Sequence, residues 1–267
     1  MNTERLSRQP IVIANWKMYL GAAESIRAAQ TVRRALSRSS VRRIDVVLCP
    51  AFPLLPAVRD VLKTGAVRLG AQDVHQEASG PFTGDVSADH LRGLVTHVIV
   101  GHSERRRFHG ETDDSVREKA RRALRAGLYP ILCVGETAEE RDRGETVAKV
   151  RQQVERIIRG LPGLSLARCV FAYEPIWAIS PEVGKPSAQP DPADAAHIMR
   201  LVRKVASDQV GRGYAERLRV VYGGSVQAST VRPFVSEPGT DGVLVGSAST
   251  KPREFVAIVR EVLACHS

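Results

Sequence analysis

Short apolar runs alternate with longer amphipathic segments along the whole chain. The runs are rich in Val, Ile, Leu and Cys, which is typical of strands buried on both faces. They cover residues 11–14, 46–49, 67–70, 97–100, 130–133, 169–173, 219–222 and 243–245. After each run, apolar residues recur at helical spacing, which predicts a helix. The predicted helices are 22–36, 54–62, 88–94, 114–126, 138–158, 192–210, 229–234 and 254–263.

Eight strand–helix pairs in succession predict an α/β protein with a parallel sheet, because each helix returns the chain to the start of the next strand. Eight units in roughly 250 residues favour a single closed (β/α)8 barrel over an open doubly wound sheet. No Gly-x-Gly-x-x-Gly motif follows the first run, which argues against a dinucleotide-binding fold. No Pro/Ser-rich linker separates two halves. We therefore expect one domain over residues 1–267, with the barrel proper at about 11–264.

The composition excludes several classes of function. The formal net charge is +10, but the arginines are distributed over many amphipathic segments and aromatic residues make up only 5%. A nucleic-acid-binding protein would cluster its basic residues and interleave aromatics, so we expect no nucleic-acid partner. No apolar run approaches the roughly 18 residues of a membrane span. Residues 1–10 are polar and the four cysteines show no metal-ligand spacing, so we expect reduced thiols in a cytoplasmic protein.

Polar groups follow several of the predicted strands. In a (β/α)8 barrel the carboxyl ends of all strands meet on one face, where the chemistry takes place. The strand-end segments with candidate functional groups are Asn15-Trp-Lys17, Gly101-His-Ser-Glu-Arg-Arg106, Val134-Gly-Glu136, Glu174, Gly223-Gly-Ser225 and Gly246-Ser-Ala-Ser249. An amide, an ammonium group, an imidazole and a carboxylate are therefore predicted to converge on one site.

These residue types indicate proton transfer next to a carbonyl group. Glu174 is placed to take a proton from carbon as a general base. His102 opens the segment after the fourth strand, and the N-terminal dipole of the helix that follows favours a neutral imidazole, which can donate a hydrogen bond to a carbonyl oxygen. The glycine turns after the last two strands offer N–H groups to a phosphate, and Lys17 adds a positive charge. Together they predict enediolate isomerisation of a phosphorylated carbonyl compound, with no cofactor and no metal ion.

The same segments resemble the triosephosphate isomerase family, and the likeness extends from Ile11 to about Pro252. Several of them are highly specific and occur in the family's order. The matching segments are Asn15-Trp-Lys-Met18, Ala71-Gln72, Phe82-Thr-Gly-Asp-Val-Ser87, Gly101-His-Ser-Glu-Arg-Arg106, Cys133-Val-Gly-Glu136, Ala172-Tyr-Glu-Pro-Ile-Trp-Ala-Ile179, Tyr222-Gly-Gly-Ser-Val226 and Asp241-Gly-Val-Leu-Val-Gly246.

The resemblance implies a TIM barrel in which each strand-end group has a role. Glu174 would shuttle the proton between C1 and C2 of the substrate, while His102 polarises the carbonyl. Lys17 would stabilise the phosphate and the developing oxyanion, Asn15 would hold the substrate oxygens, and Glu104 would lie behind Lys17. The residues implied to bind the phosphate are Ser180, Ser225, Gly246 and Ser247.

The resemblance also implies a homodimer that serves glycolysis and gluconeogenesis. The loop around Thr83 would reach into the active site of the neighbouring subunit. Asp73 stands where the family generally has Asn, and Tyr19 replaces a small polar residue. Both positions lie near the family's dimer contact, so we expect that interface to be repacked.

The segment after Ile179 departs most from the family pattern. The family's lid usually has the sequence Ala-Ile-Gly-Thr-Gly-Lys, whereas here Ile179 precedes the longer Ser180-Pro-Glu-Val-Gly-Lys185. The first hypothesis is interconversion of dihydroxyacetone phosphate and D-glyceraldehyde 3-phosphate. Because a lid shapes the space above the substrate, a second is an isomerase of a four-carbon sugar phosphate of the erythrulose phosphate type. A third is a catalytically inactive barrel that binds a phosphorylated ligand.

Overall fold

Eight parallel strands close into a barrel in the computed structural model, which describes residues 8–36, 42–179 and 189–266. Each strand pairs with the next along the chain, and the eighth closes the ring by pairing in parallel with the first. This confirms the predicted single (β/α)8 barrel fold. The strands are β1 (Ile11–Asn15), β2 (Asp45–Cys49), β3 (Arg68–Ala71), β4 (His97–Val100), β5 (Tyr129–Val134), β6 (Val170–Tyr173), β7 (Arg219–Tyr222) and β8 (Gly242–Val245).

Helices surround the barrel on the outside. The α-helices of the described residues are α1 (Ala22–Ala35), α2 (Leu55–Leu62), α3 (Ala88–Leu91), α4 (Ser103–His109), α5 (Asp113–Arg125), α6 (Ala138–Asp142), α7 (Thr146–Ile158), α8 (Gly163–Leu166), α9 (Pro192–Val210), α10 (Arg212–Ala215), α11 (Val231–Ser236) and α12 (Pro252–Cys265). Short 3-10 turns occur at Phe52–Leu54, Ile176–Ala178 and Ser247–Thr250. None of these helices has the length and apolar character needed to cross a membrane.

The apolar runs become strands because both of their faces are buried. Alternate residues, such as Ile11 and Ile13 of β1, point into the barrel and pack in one small cluster. Their neighbours Val12 and Ala14 belong to the larger cluster between the strands and the helices. A continuous apolar run therefore supplies apolar side chains both to the barrel interior and to the layer between strands and helices. This is why these strands lack the alternation of polar and apolar residues found in half-exposed sheets.

The predicted helix over 138–158 is wrong as a single element. Gly144 has a φ of 73°, and the chain there leaves α6 before α7 begins. A glycine reaches this left-handed region without the steric cost that a side chain imposes, so it ends the helix. The predicted helix over 88–94 is likewise shorter, and Gly93 has a φ of 73° just beyond it.

Candidate active site

A cavity of about 1130 Å³ lies at the carboxyl ends of the strands. It brings together most of the residues predicted from the strand ends. The predicted residues that line it are Asn15, Lys17, His102, Glu174, Ser225, Gly246 and Ser247. Glu104 contacts Lys17 from outside this lining, and Ser180 lies outside the described residues.

Glu174 is held at the end of β6 by backbone contacts on both sides. Its N–H donates to the carbonyl oxygen of Val134 at 2.7 Å. Gly135 and Gly223 make room for it. A Cβ on Gly135 would lie 1.8 Å from the Glu174 carbonyl oxygen, and one on Gly223 would lie 2.7 Å from its Cγ. The glycines of the neighbouring strand ends therefore fix where this carboxylate can lie.

The Glu174 carboxylate is buried and only half satisfied. Its side chain is 2% exposed. Oε2 accepts a hydrogen bond from the backbone N–H of Ser103 at 3.2 Å, whereas Oε1 has no hydrogen-bond partner among the described residues. Nε2 of His102 lies 3.4 Å from this oxygen. A buried carboxylate oxygen without a partner is costly. It is also the arrangement that a base needs before it accepts a proton.

His102 is the residue that caps the N-terminus of α4. Its Nδ1 accepts a hydrogen bond from the backbone N–H of Glu104 at 3.2 Å. A ring nitrogen that accepts an N–H bond carries no proton, so this geometry selects a neutral imidazole with its hydrogen on Nε2. The Nε2–H faces the cavity beside Glu174 and is available to a substrate oxygen.

Lys17 reaches the cavity from a backbone position in the left-handed region, with a φ of 48°. Two hydrogen bonds hold this backbone. The Lys17 N–H donates to Oδ1 of Asn15 at 3.1 Å, and the Lys17 carbonyl accepts from Nε2 of Gln72 at 2.8 Å. Its Nζ donates to Oε1 of Glu104 at 2.6 Å. Glu104 thus aims the ammonium group, and Asn15 supports the turn that carries it.

The predicted phosphate-binding turns form one wall of the cavity. Gly246 precedes the short 3-10 turn Ser247–Thr250, and its carbonyl accepts from the Ser249 hydroxyl at 2.6 Å. A Cβ on Gly246 would lie 3.7 Å from Cε of Lys17, so the lysine passes close to this turn. Ser225 lines the same wall, but its donors are already used. Its N–H donates to the Ala178 carbonyl at 3.1 Å, and its hydroxyl donates to the Ile179 carbonyl at 2.9 Å.

Glu136 has a role that the sequence did not reveal. It is 1% exposed and accepts hydrogen bonds from the Tyr173 hydroxyl at 3.2 Å and from Trp177 Nε1 at 2.8 Å. Burial raises the pKa of Glu136, and the hydrogen bonds from Trp177 and Tyr173 offset part of that rise. The guanidinium of Arg141 lies 3.9 Å from the centre of the Trp177 ring. Glu136 therefore links the chain around Glu174 to the end of β5. In the sequence, the only feature that singles out Glu136 is an acid after a predicted strand.

The fold and the site define a (β/α)8-barrel enzyme with a buried carboxylate and a neutral imidazole side by side at the carboxyl ends of its strands. Comparison with known proteins then gives the family. The family model described as Triosephosphate isomerase matches residues 10–262. The chain belongs to the triosephosphate isomerase family and is an isomerase.

Curated relatives agree over nearly the full length of the chain. The protein named Triosephosphate isomerase from Carboxydothermus hydrogenoformans is 42% identical over 258 residues, covering 95% of this chain and 98% of the relative. The one from Thermus thermophilus is 41% identical over 254 residues, with coverage of 95% and 98%. The one from Solibacter usitatus is 40% identical over 253 residues, with coverage of 94% and 99%.

Proposed function

We propose that this protein interconverts dihydroxyacetone phosphate and D-glyceraldehyde 3-phosphate by proton transfer through an enediolate. The observation that carries the proposal is the contact between the half-satisfied carboxylate of Glu174 and the neutral ring of His102, 3.4 Å apart. A base and a hydrogen-bond donor so placed suit removal of a proton next to a carbonyl group. The pairing of a Glu base with a neutral His is the established one for this family.

The first step moves one proton and leaves no charge unbalanced. Glu174 takes the proton from the carbon beside the carbonyl, and the C–H electron pair becomes the C=C bond of the enediolate. The carbonyl oxygen takes the negative charge, where Nε2–H of His102 donates to it and the ammonium of Lys17 stabilises it. The hydroxyl proton of the enediolate then moves to the oxygen that carries the negative charge, which leaves the charge on the other oxygen. Glu174 returns its proton to the neighbouring carbon, and the oxygen that lost its proton becomes the carbonyl of the isomer.

The position of Lys17 supports a role toward both the phosphate and the oxyanion. Its side chain passes close to Gly246 and also lines the cavity with His102. The ion pair with Glu104 holds it in place, at the cost of sharing its charge. A phosphate at the Ser225 and Gly246 turns would leave the carbonyl end of the substrate in the same cavity as His102 and Glu174, since all four residues line it. Asn15 lines it as well and is 5% exposed.

A four-carbon sugar phosphate is the second candidate substrate. The cavity of about 1130 Å³ exceeds the usual range of ligand sites, which is about 300–1,000 Å³. Tyr19, where the family has a small polar residue, lines this cavity and is 60% exposed. The longer segment Ser180-Pro-Glu-Val-Gly-Lys185 lies outside the described residues.

Steady-state rates on the two substrate classes test the proposal. We expect a kcat/KM on D-glyceraldehyde 3-phosphate approaching the diffusional ceiling of about 10⁸–10⁹ M⁻¹s⁻¹. Glu174→Gln should lower kcat by about 10²- to 10⁴-fold, the usual contribution of a general base. Rates several orders lower, combined with fast turnover of a tetrose or tetrulose phosphate, would assign the four-carbon substrate. No turnover of either by the folded protein would favour a binding module.

The quaternary structure and cellular role are also proposals. We infer a homodimer that acts in glycolysis and gluconeogenesis in the cytoplasm. Two apolar side chains are exposed: Met18, which follows Lys17, is 94% exposed, and Phe82, which precedes Thr83, is 39% exposed. Phe82 packs on the ring of His75 at 4.2 Å, which braces the loop that carries Thr83. Light scattering after gel filtration should give twice the monomer mass, and Phe82→Ser should shift it toward the monomer.

A further inference from the structure

Ser225 is bonded to the chain on both sides of residues 180–188. On the near side, its N–H and its hydroxyl donate to the carbonyls of Ala178 and Ile179. On the far side, Nε2 of Gln189 donates to the Ser225 carbonyl at 3.0 Å. Gln189 lines the same cavity and is exposed. Three polar groups of one residue are thus all committed to the segments that flank 180–188.

These three hydrogen bonds differ in their compatibility with a bound phosphate. A phosphate needs donors, so it competes with the carbonyl of Ala178 for the Ser225 N–H and with that of Ile179 for the hydroxyl. The bond from Gln189 uses the carbonyl of Ser225. A phosphate oxygen is itself an acceptor, so it does not compete for this bond. Of the three bonds, it is therefore the one that can remain when the anion is bound.

We propose that Gln189 is a positioning residue for the phosphate-binding turn Gly223-Gly-Ser225. Its side-chain amide donates to the carbonyl of Ser225. This hydrogen bond orients the peptide bond between Ser225 and Val226 and limits rotation of the turn. This role rests on the proposed function of the Ser225 turn as a phosphate site. The sequence predicts no role for Gln189, because this residue belongs to none of the segments that resemble the family.

The test replaces the donor while keeping the volume. Gln189→Met removes the N–H groups but retains a side chain of similar length. We expect KM for the triose phosphate to rise about 3- to 10-fold with kcat within about 2-fold, the scale of one lost hydrogen bond. The inhibition constant of inorganic phosphate should rise by the same factor, and the melting temperature should not change. Gln189→Ala should give the same result.

Gln209→Met is the matched control. Gln209 is exposed near the end of α9, outside the lining of the cavity. The KM and phosphate inhibition of this variant should stay at the wild-type values. The inference is wrong if Gln189→Met leaves KM and phosphate inhibition unchanged, or if it lowers kcat and the melting temperature together.

A thermal-shift titration with inorganic phosphate keeps the two proposals apart. It reports binding at the turn whether or not the protein turns over a triose phosphate. If the wild type lacks isomerase activity, the proposed function fails. A weaker phosphate shift in Gln189→Met would still support the positioning role, and an unchanged shift would overturn it.

Discussion

Nε2 of His102 and Oε1 of Glu174 lie 3.4 Å apart, although the two residues follow different strands of the barrel. The imidazole is neutral because Nδ1 accepts the Glu104 N–H, and the carboxylate oxygen has no hydrogen-bond partner among the described residues. An uncharged donor and an unsatisfied acceptor therefore share one buried site. A substrate that brings a carbonyl oxygen to one and a C–H bond to the other would satisfy both.

The space that glycine leaves beside Glu174 should be essential for its position. In Gly223→Ala, the new Cβ would meet Cγ of Glu174 at 2.7 Å, so that side chain must move. We expect kcat to fall by about 10- to 100-fold with a smaller effect on KM, because a displacement of about 1 Å is enough to disturb a catalytic geometry. Steady-state kinetics together with the melting temperature would measure this.

Gly213→Ala is the control for that substitution. No atom lies within 4 Å of a Cβ built on Gly213. We expect wild-type kinetics and an unchanged or slightly higher melting temperature, because alanine limits the unfolded chain. If Gly223→Ala also retained the wild-type kcat, the fixed position of the Glu174 side chain would not matter for catalysis.

Lys119 neutralises a buried pair of acids. Its Nζ lies 2.8 and 3.0 Å from the two oxygens of Asp73 and also contacts Glu111. Arg105 contacts the same two acids. Asp73, expected near a dimer contact, is thus 8% exposed within an ion cluster. Lys119→Met should lower the free energy of unfolding by about 3–5 kcal/mol, since it leaves buried charge uncompensated.

Lys204→Met provides the contrast for Lys119. Lys204 pairs with Asp208 one helical turn away, and both side chains are more than half exposed. Urea denaturation should show a change of less than about 0.5 kcal/mol for this variant. Equal losses in the two variants would contradict the importance of burial in the Asp73 cluster.

His97 should make the fold sensitive to acid. It is 1% exposed at the start of β4, and Nε2 has no hydrogen-bond partner among the described residues. Burial, aided by Arg219 and Arg68, lowers its pKa from 6.5 to about 3. Between these values the unfolded chain binds a proton that the folded chain does not. Stability should therefore fall as the pH drops from 6.5 toward 3.

The expected loss from His97 is about 1.4 kcal/mol per pH unit within that window. Urea unfolding at pH 7.5 and 4.5 would measure it. His97→Gln should flatten the pH dependence, whereas His109→Gln, at an exposed position, should not. A slope unchanged in His97→Gln would show that other groups cause the loss.

The sequence predicts the barrel and the convergence of the candidate residues on one cavity, because both depend on repeated local patterns. Apolar runs fix the strands, and in a closed barrel every strand end faces the same way. What it missed depends on single contacts. Gly144 interrupts a continuous helical pattern. Helix α4 is too short and too highly charged to show an apolar periodicity. The hydrogen bonds that Glu136 accepts from Tyr173 and Trp177 join segments that follow different strands. The commitment of both Ser225 donors could not be predicted either, since it depends on how the chain returns after β6.

Solvent isotope incorporation tests the proton-transfer claim most directly. Dihydroxyacetone phosphate is converted in D2O, and the product D-glyceraldehyde 3-phosphate is trapped and analysed by NMR for deuterium at C2. A base that holds the proton between two carbons exchanges part of it with solvent, so we predict deuterium at C2 in the wild type. Glu174→Gln should lower the rate of this conversion by about 10²- to 10⁴-fold, and the protein should stay folded. Product without deuterium, or conversion unaffected by Glu174→Gln, would contradict a mechanism in which Glu174 is the base.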